Sequence, residues 1–259
     1  MTPVLAFDIE TVPDCAGIRR LYSLPADLPD HEVAEVAFQK RRTQTGSDFL
    51  APPLHRVVVI SCLLRSDEGL QLFSIGEPER GEREAIQKFF DGIEKLIPQL
   101  VSWNGGGFDL PVLNYRGLMH KVSAPTFWET GDENRDFRFN NYVSRYHSRH
   151  LDLMDVLAMY QPRNNAPLDD VAQLAGLPGK IGVGGAKVWE TYLAGEIGKI
   201  RDYCEADTAN TYLLYLRYQL LRGVFSTDLH KKETQLLRTH LESLDKPHWR
   251  EFLQRWNEA

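Results

Sequence analysis

The chain has 259 residues, 42% of them hydrophobic and 25% charged, with a formal net charge of −6 and a pI near 5.8. That length can bury one large core or two small ones. The acidity argues against a protein that coats nucleic acid by bulk electrostatics, although an enzyme gripping a few phosphates locally is compatible with it. No apolar run approaches the ~18 residues of a membrane span. The opening MTPVLAFDIET reads as a first strand, not a secretory signal. Cys15, Cys62 and Cys204 are odd in number and widely spaced. They suit a reducing cytoplasm and offer neither a disulfide framework nor a zinc site.

In chain order, Val4 to Ile9 is a short apolar run ending in acids, consistent with a buried strand. The stretch Thr11 to Arg56 that follows is turn-rich (Pro13, Pro25, Pro29, Pro52, Pro53), with a helix expected near His31 to Arg42. A connection of this length is usually functional or flexible. Val57 to Leu64 is β-branched and almost wholly apolar, a strand buried on both faces. Leu70 to Ile75 alternates after Glu68-Gly69 and reads as a hairpin return. Glu82 to Ile97 carries Ile86, Phe89, Phe90, Ile93 and Ile97 at helical spacing, and Pro98 ends it. Leu100 to Trp103 is a further strand, followed by a glycine-rich turn and a helix over Pro111 to Met119.

The remainder reads as helical: Leu151 to Tyr160, Leu168 to Ala175, Ala186 to Leu193, Glu196 to Leu221, and one last helix within Thr227 to Trp256. Together these predict one α/β domain around a mixed central sheet. It would span 1–259, with an insertion at about 11–56 and a helical C-terminal extension at about 222–259.

Three groups of acidic residues carry the chemistry. Asp8 and Glu10 stand two apart at the end of the first strand and project from one face. Such a pair is a hard-oxygen site suited to Mg²⁺ or Mn²⁺, or, equally, a strand-end pair facing water. Asn104-Gly105-Gly106-Gly107-Phe108-Asp109 follows a buried strand. There Phe108 can anchor the turn while Asp109 points outward, and the plain alternative makes Asp109 a helix cap. Tyr203 and Asp207 lie four apart on one face of the long helix. Glu205 points elsewhere and is expected to be solvated.

Jointly, Asp8-Ile9-Glu10, Asn104 to Phe108-Asp109, and Tyr203 to Asp207 resemble the three exonuclease motifs of the DEDD nucleases, in the YxxxD form found in the proofreading domains of family B DNA polymerases. Leu151 to Val156 and Leu168 to Ala172 through Lys180 are also similar to that polymerase segment, so the resemblance runs from about Val4 to Leu221. It implies a ribonuclease H-like fold and a free-standing relative of the proofreading domain, acting without polymerase activity in cis. The implied activity is a metal-dependent 3′-5′ exonuclease, expected to act on single-stranded DNA 3′ ends and to release nucleoside 5′-monophosphates. An exoribonuclease using the same site, a catalytically silent nucleic-acid-binding module, and a small-molecule phosphohydrolase are the rivals.

By the same resemblance, two divalent ions about 3.5–4 Å apart serve the phosphodiester chemistry. Asp8 bridges them, Glu10 and Asp207 hold the water-activating ion, and Asp109 supports the second. Tyr203, with an ordinary pKa near 10, orients the nucleophile and does not act as a base. Asn104 organises the loop or the nucleic acid, and Phe108 is core or a base-stacking wedge. Asp152 reads as a helix cap, and Trp103 as core. His147 and His150 make a weaker case for a histidine base. Lys187 or Arg201 could reach a phosphate. Basic tracks at Lys40, Arg41 and Arg42, at Arg135, Arg138, Arg145 and Arg149, and at Lys231 and Lys232 read as solvated surface or substrate contacts.

Overall fold

The computed structural model describes residues 2–76, 81–182 and 184–258. Strands β1 (Val4–Pro13), β2 (His55–Ser66), β3 (Gly69–Ile75), β4 (Gln99–Ser102) and β5 (His150–Asp152) form one sheet in the order β3-β2-β1-β4-β5. β1 runs antiparallel to β2, and β2 to β3, whereas β1–β4 and β4–β5 are parallel. Helices α1 (Cys15–Tyr22) and α2 (Asp30–Thr45) lie between β1 and β2. α3 (Gly81–Leu96), α4 (Asp109–His120) and α5 (Pro125–Trp128) flank β4 in sequence. After β5 come α6 (Leu153–Leu157), α7 (Leu168–Leu174), α8 (Val188–Leu193), α9 (Ile197–Leu221), α10 (Thr227–Leu244) and α11 (Pro247–Glu258). This is the ribonuclease H-like arrangement: a mixed five-stranded sheet with helices on both faces.

The period-2 alternation of β1 divides the core. Leu5, Phe7 and Ile9 face α3 and α4, packing with Phe89, Phe90, Ile93 and Leu113. Val4 and Ala6 face the other way, into a cluster with Ala206, Ala209 and Leu213 of α9 and with Trp249 and Phe252 of α11. Asp8 and Glu10 continue the second set, which aims both carboxylates at α9. A register shift between Glu10 and Thr11 ends the regular ladder with β2 beside them, a place where a bulge re-aims side chains.

Four expectations are corrected. Leu151 to Tyr160 is not one helix: His150–Asp152 pairs in parallel with β4, and only Leu153–Leu157 is helical. The last helix is two, divided where Asp245 takes a left-handed φ of 45° ahead of Pro247. The stretch after β1 holds α1 as well as α2, and β1 itself runs on to Pro13. Glu205 is not solvated but 2% exposed. It accepts hydrogen bonds from Ser74 Oγ (2.9 Å), Lys246 Nζ (3.1 Å) and His248 Nε2 (3.1 Å). Every residue of α9 from Tyr203 to Leu216 is buried, because the sheet covers one side and α10 and α11 the other.

Candidate active site

The parallel strands β1, β4 and β5 end at the same edge of the sheet, where the crevices of open α/β folds take their ligands. At the end of β4 the chain turns at Asn104, whose φ is +64°, a conformation asparagine tolerates better than most residues. Its carbonyl accepts the N–H groups of Gly107 and Phe108. Two of the glycines leave room for close approach: a Cβ on Gly105 would lie 2.3 Å from Ser102 Oγ, and one on Gly107 2.3 Å from Asn104 Oδ1, so either would displace a side chain of the loop. From β5, Asp152 fixes the same loop by accepting the N–H of Asn104 and of Gly106, each at 2.9 Å. It also caps α6 through the N–H of Asp155 at 3.3 Å, as its cap reading predicted.

The loop delivers Asp109 as the first residue of α4. The cap position belongs to Phe108, which makes no side-chain capping bond. Asp109 therefore neither caps the helix nor points outward. It is 4% exposed, and its Oδ1 accepts the N–H of Ile9 at 3.1 Å, tying the loop to β1 between Asp8 and Glu10. Phe108 is half-buried, its ring 5.2 Å from Phe49 and 5.0 Å from His55 of the insertion. The insertion thus supplies the wall beside this loop, with His55 held by Thr11 at 2.8 Å and by the Leu50 carbonyl at 3.1 Å.

α9 completes the pocket from the other side. Cys204 directs its thiol to Asp8, 3.4 Å from Oδ2, and ligand atoms of Asp8, Glu10 and Cys204 lie within 4.8 Å of one another. Tyr203 and Asp207 are both buried one helical turn apart, close enough for hydroxyl and carboxylate to perturb one another. Asp207 Oδ1 has no hydrogen-bond partner.

The electrostatics tie the four carboxylates into one group. Burial, then the charges of Asp109, Glu10 and Asp207, raise Asp8 well above the usual carboxylate range. Burial, then Asp207 and Asp109, do the same to Glu10. Burial pushes Asp109 up to about 7 and Asp207 to about 6, the latter against the opposing pull of Tyr203 and Lys180. Burial and the Asp8 and Glu10 charges keep Cys204 a neutral thiol.

Such crowding of acids is costly without cations. Hard oxygen donors and an unpartnered buried carboxylate oxygen are what a divalent ion such as Mg²⁺ or Mn²⁺ requires. The residues fit that group.

Lys180 was missed as a site residue. Its ammonium lies 6.0 Å from the Tyr203 ring, and its charge lowers both Glu10 and Asp207. Its backbone is held at both ends, by Asp169 Oδ1 at 2.7 Å and by Arg255 of α11 at 2.6 Å. The signal in the sequence was a lysine isolated among glycines between Gly179 and Gly182. Glu205, two residues from Asp207, binds α11 to α9. Burial alone would raise its pKa, but His248, Lys246 and Ser74 hold it below its ordinary value.

Other candidates have structural partners. His150 bonds Ser102 at 2.8 Å, and burial lowers its pKa to about 4. His147 accepts the Asn141 N–H at 3.0 Å, so both histidines are engaged in structural hydrogen bonds. Arg201 reaches the Gly76 carbonyl at 3.4 Å, and Trp103 is partly buried, bonding the Ala166 carbonyl at 3.1 Å. Among the described residues no helix is long and apolar enough to cross a membrane.

No match to a curated protein was found. A family model described as a predicted 3′-5′ exonuclease related to the exonuclease domain of PolB matches residues 47–256. The matched span holds Asp109, Tyr203 and Asp207 and starts beyond Asp8 and Glu10, which the Ile9–Asp109 and Cys204–Asp8 contacts bring to it. With most of its length matched, the chain belongs to this family of predicted 3′-5′ exonucleases, hydrolases related to the exonuclease domain of PolB.

Proposed function

We propose that the whole chain acts as one exonuclease-like domain that hydrolyses the 3′-terminal phosphodiester of single-stranded DNA, releasing nucleoside 5′-monophosphates. The observation that carries this reading is the convergence of Asp8, Glu10, Asp109 and Asp207 from three distant segments into one buried, mutually repelling group. Asp8 would hold both of two divalent ions, Glu10 and Asp207 one of them, and Asp109 the other. When bound, Mg²⁺ or Mn²⁺ supplies the positive charge that activates water and stabilises the leaving 3′ oxygen. Tyr203 stays protonated and donates, orienting the attacking water instead of deprotonating it. Lys180 adds a fixed positive charge beside Glu10 and Asp207. Asn104 holds the loop, and Phe108, braced by Phe49 and His55, offers a ring to the terminal base. Three free, buried cysteines fit a reducing compartment, which we take to be the cytoplasm.

The test is degradation of labelled oligonucleotides by the purified protein in Mg²⁺ or Mn²⁺. Asp8→Ala and Asp207→Ala are expected to abolish cleavage with the circular dichroism spectrum unchanged. Full activity in either variant refutes the assignment. Matched DNA and RNA strands, labelled at each end, report polarity and sugar preference together.

A further inference from the structure

One of the basic tracks, Arg135 to Arg149, remains outside the catalytic pocket. Residues 134–149 (NRDFRFNNYVSRYHSR) carry four arginines against the single acid Asp136, in a chain whose net charge is −6. The track is a built surface. Phe137 and Tyr142 anchor it inward, each 2% exposed, and the Tyr142 hydroxyl bonds the Pro98 carbonyl at 2.7 Å. Arg149 lies 4.0 Å over the Phe137 ring and bonds Asn140.

Outward, the same segment presents large rings to solvent, with Phe139 81% and Tyr146 70% exposed. Arg138 sits 5.5 Å over Phe139. Arg145 lies 5.8 Å from the Tyr146 ring and 5.5 Å from Tyr160, and those two rings meet edge-on at 5.0 Å. Tyr160 is turned toward Tyr146 by a left-handed pair of non-glycine residues, Met159 (φ 54°) and Tyr160 (φ 59°).

This surface is linked to the catalytic edge through Asp155 and Asp152. Arg145 forks onto the Asp155 carboxylate. Asp155 lies in the first turn of the helix capped by Asp152, whose carboxylate holds the Asn104–Gly106 loop and whose charge is felt by Asp109. Exposed aromatic rings interleaved with guanidinium groups are what a single strand needs, with π-faces for its bases and cations for its phosphates. We propose that Phe139, Tyr146 and Tyr160, with Arg138 and Arg145, form a stacking platform for the single-stranded nucleic acid that leads to the cleaved terminus. The proposal rests on the exonuclease reading above and adds to it the path of the uncut strand.

The experiment compares wild-type protein with Phe139→Ala, Tyr146→Ala and Tyr146→Phe. The probe is a fluorescent single strand of about 20 nucleotides, longer than the roughly 4–16 a single-strand track covers. Binding is measured in Ca²⁺ to hold off hydrolysis. Turnover is then measured in Mn²⁺ on that strand and on a dinucleotide too short to reach the platform.

Each alanine variant is expected to weaken binding of the long strand about tenfold, to raise its KM more than it lowers kcat, and to narrow the preference for the long strand over the dinucleotide. Tyr146→Phe should keep wild-type behaviour. Alanine variants that bind and cut the long strand like wild type overturn the platform and leave the exonuclease reading standing. Wild-type binding that the alanine variants lose, with no hydrolysis of either substrate, supports the platform and removes the exonuclease reading. A wild-type protein that does not bind the long strand overturns the platform.

Discussion

The hydroxyl of Tyr203 is set in the acidic pocket, where burial and the charges of Asp207, Glu10 and Asp8 raise its pKa above that of an ordinary tyrosine. At neutral pH it can donate a proton in a hydrogen bond but cannot abstract one, so the role we propose for it is positional. Tyr203→Phe is expected to lower kcat about 10- to 100-fold, the usual cost of losing a group that orients a metal ligand. The Mn²⁺ concentration for half-maximal activity should move much less, because every carboxylate remains. A kcat within twofold of wild type would remove the role. Asp8, Glu10, Asp109, Tyr203 and Asp207 could be expected together only through the joint resemblance of their three segments to the exonuclease motifs, since each alone read as well as a strand-end pair, a helix cap or a surface charge. Glu205, Cys204 and Lys180 were not, because their environments are made by distant segments. Glu205 is buried by Lys246 and His248 of the C-terminal region, and the Lys180 loop is set by Arg255.

At the scale of elements, Arg116 of α4 is one point through which the insertion is tied to the rest. It is 4% exposed, pairs with Asp14 at the start of α1, and forks onto Glu82 of α3, with Nε at 2.8 Å. Glu82 in turn accepts the N–H of Val57 in β2 at 2.7 Å. Removing the guanidinium leaves Asp14 with the Gly17 N–H and Glu82 with the Val57 N–H and His120, and breaking a buried pair of this kind costs up to about 3–5 kcal/mol. Arg116→Ala is therefore expected to lower stability by that order in urea unfolding, and a loss below about 1 kcal/mol would show that the network is relaxed by water. The long elements around this network were legible, β2 from its β-branched run and α3 from Ile86, Phe89, Phe90 and Ile93 at helical spacing, although Ile97, expected with them, lies past the helix end with a φ of 43° and is exposed. The short ones were not. β5 has three residues and exists only by pairing with β4, a non-local contact that overrides the helical pattern of Leu151 to Tyr160. α9 was found in the sequence but its enclosure was not, because the buried stretch carries Glu205, Asp207, Thr208, Asn210 and Thr211, polar residues that read as a solvent face.

For the molecule as a whole, the acidic pocket is expected to make stability depend on pH and on divalent ions together. Asp109 at about 7 and Asp207 at about 6 keep protons in the folded state that the unfolded chain, near 4 for these groups, releases. A carboxyl raised in this way contributes stability in full below about pH 4, and that contribution is lost as pH climbs through the folded value. His55 and His150 act in the opposite sense. Burial lowers both, so their contribution fades as pH falls below about 6.5. The pocket is isolated by comparing wild type with Asp109→Asn, which shares both histidines and keeps an oxygen to accept the Ile9 N–H. Without metal, the variant's gain in Tm over wild type is expected to grow from about pH 5 to about pH 8, as wild-type Asp109 is forced to ionise. Mn²⁺ should raise the wild-type Tm far more at the upper pH than at the lower, since ions and protons compete for the same oxygens. The variant should gain less from the metal at either pH. A Tm difference that stays constant across this range, with a metal effect independent of pH, would mean that the four acids do not share one cation-binding pocket.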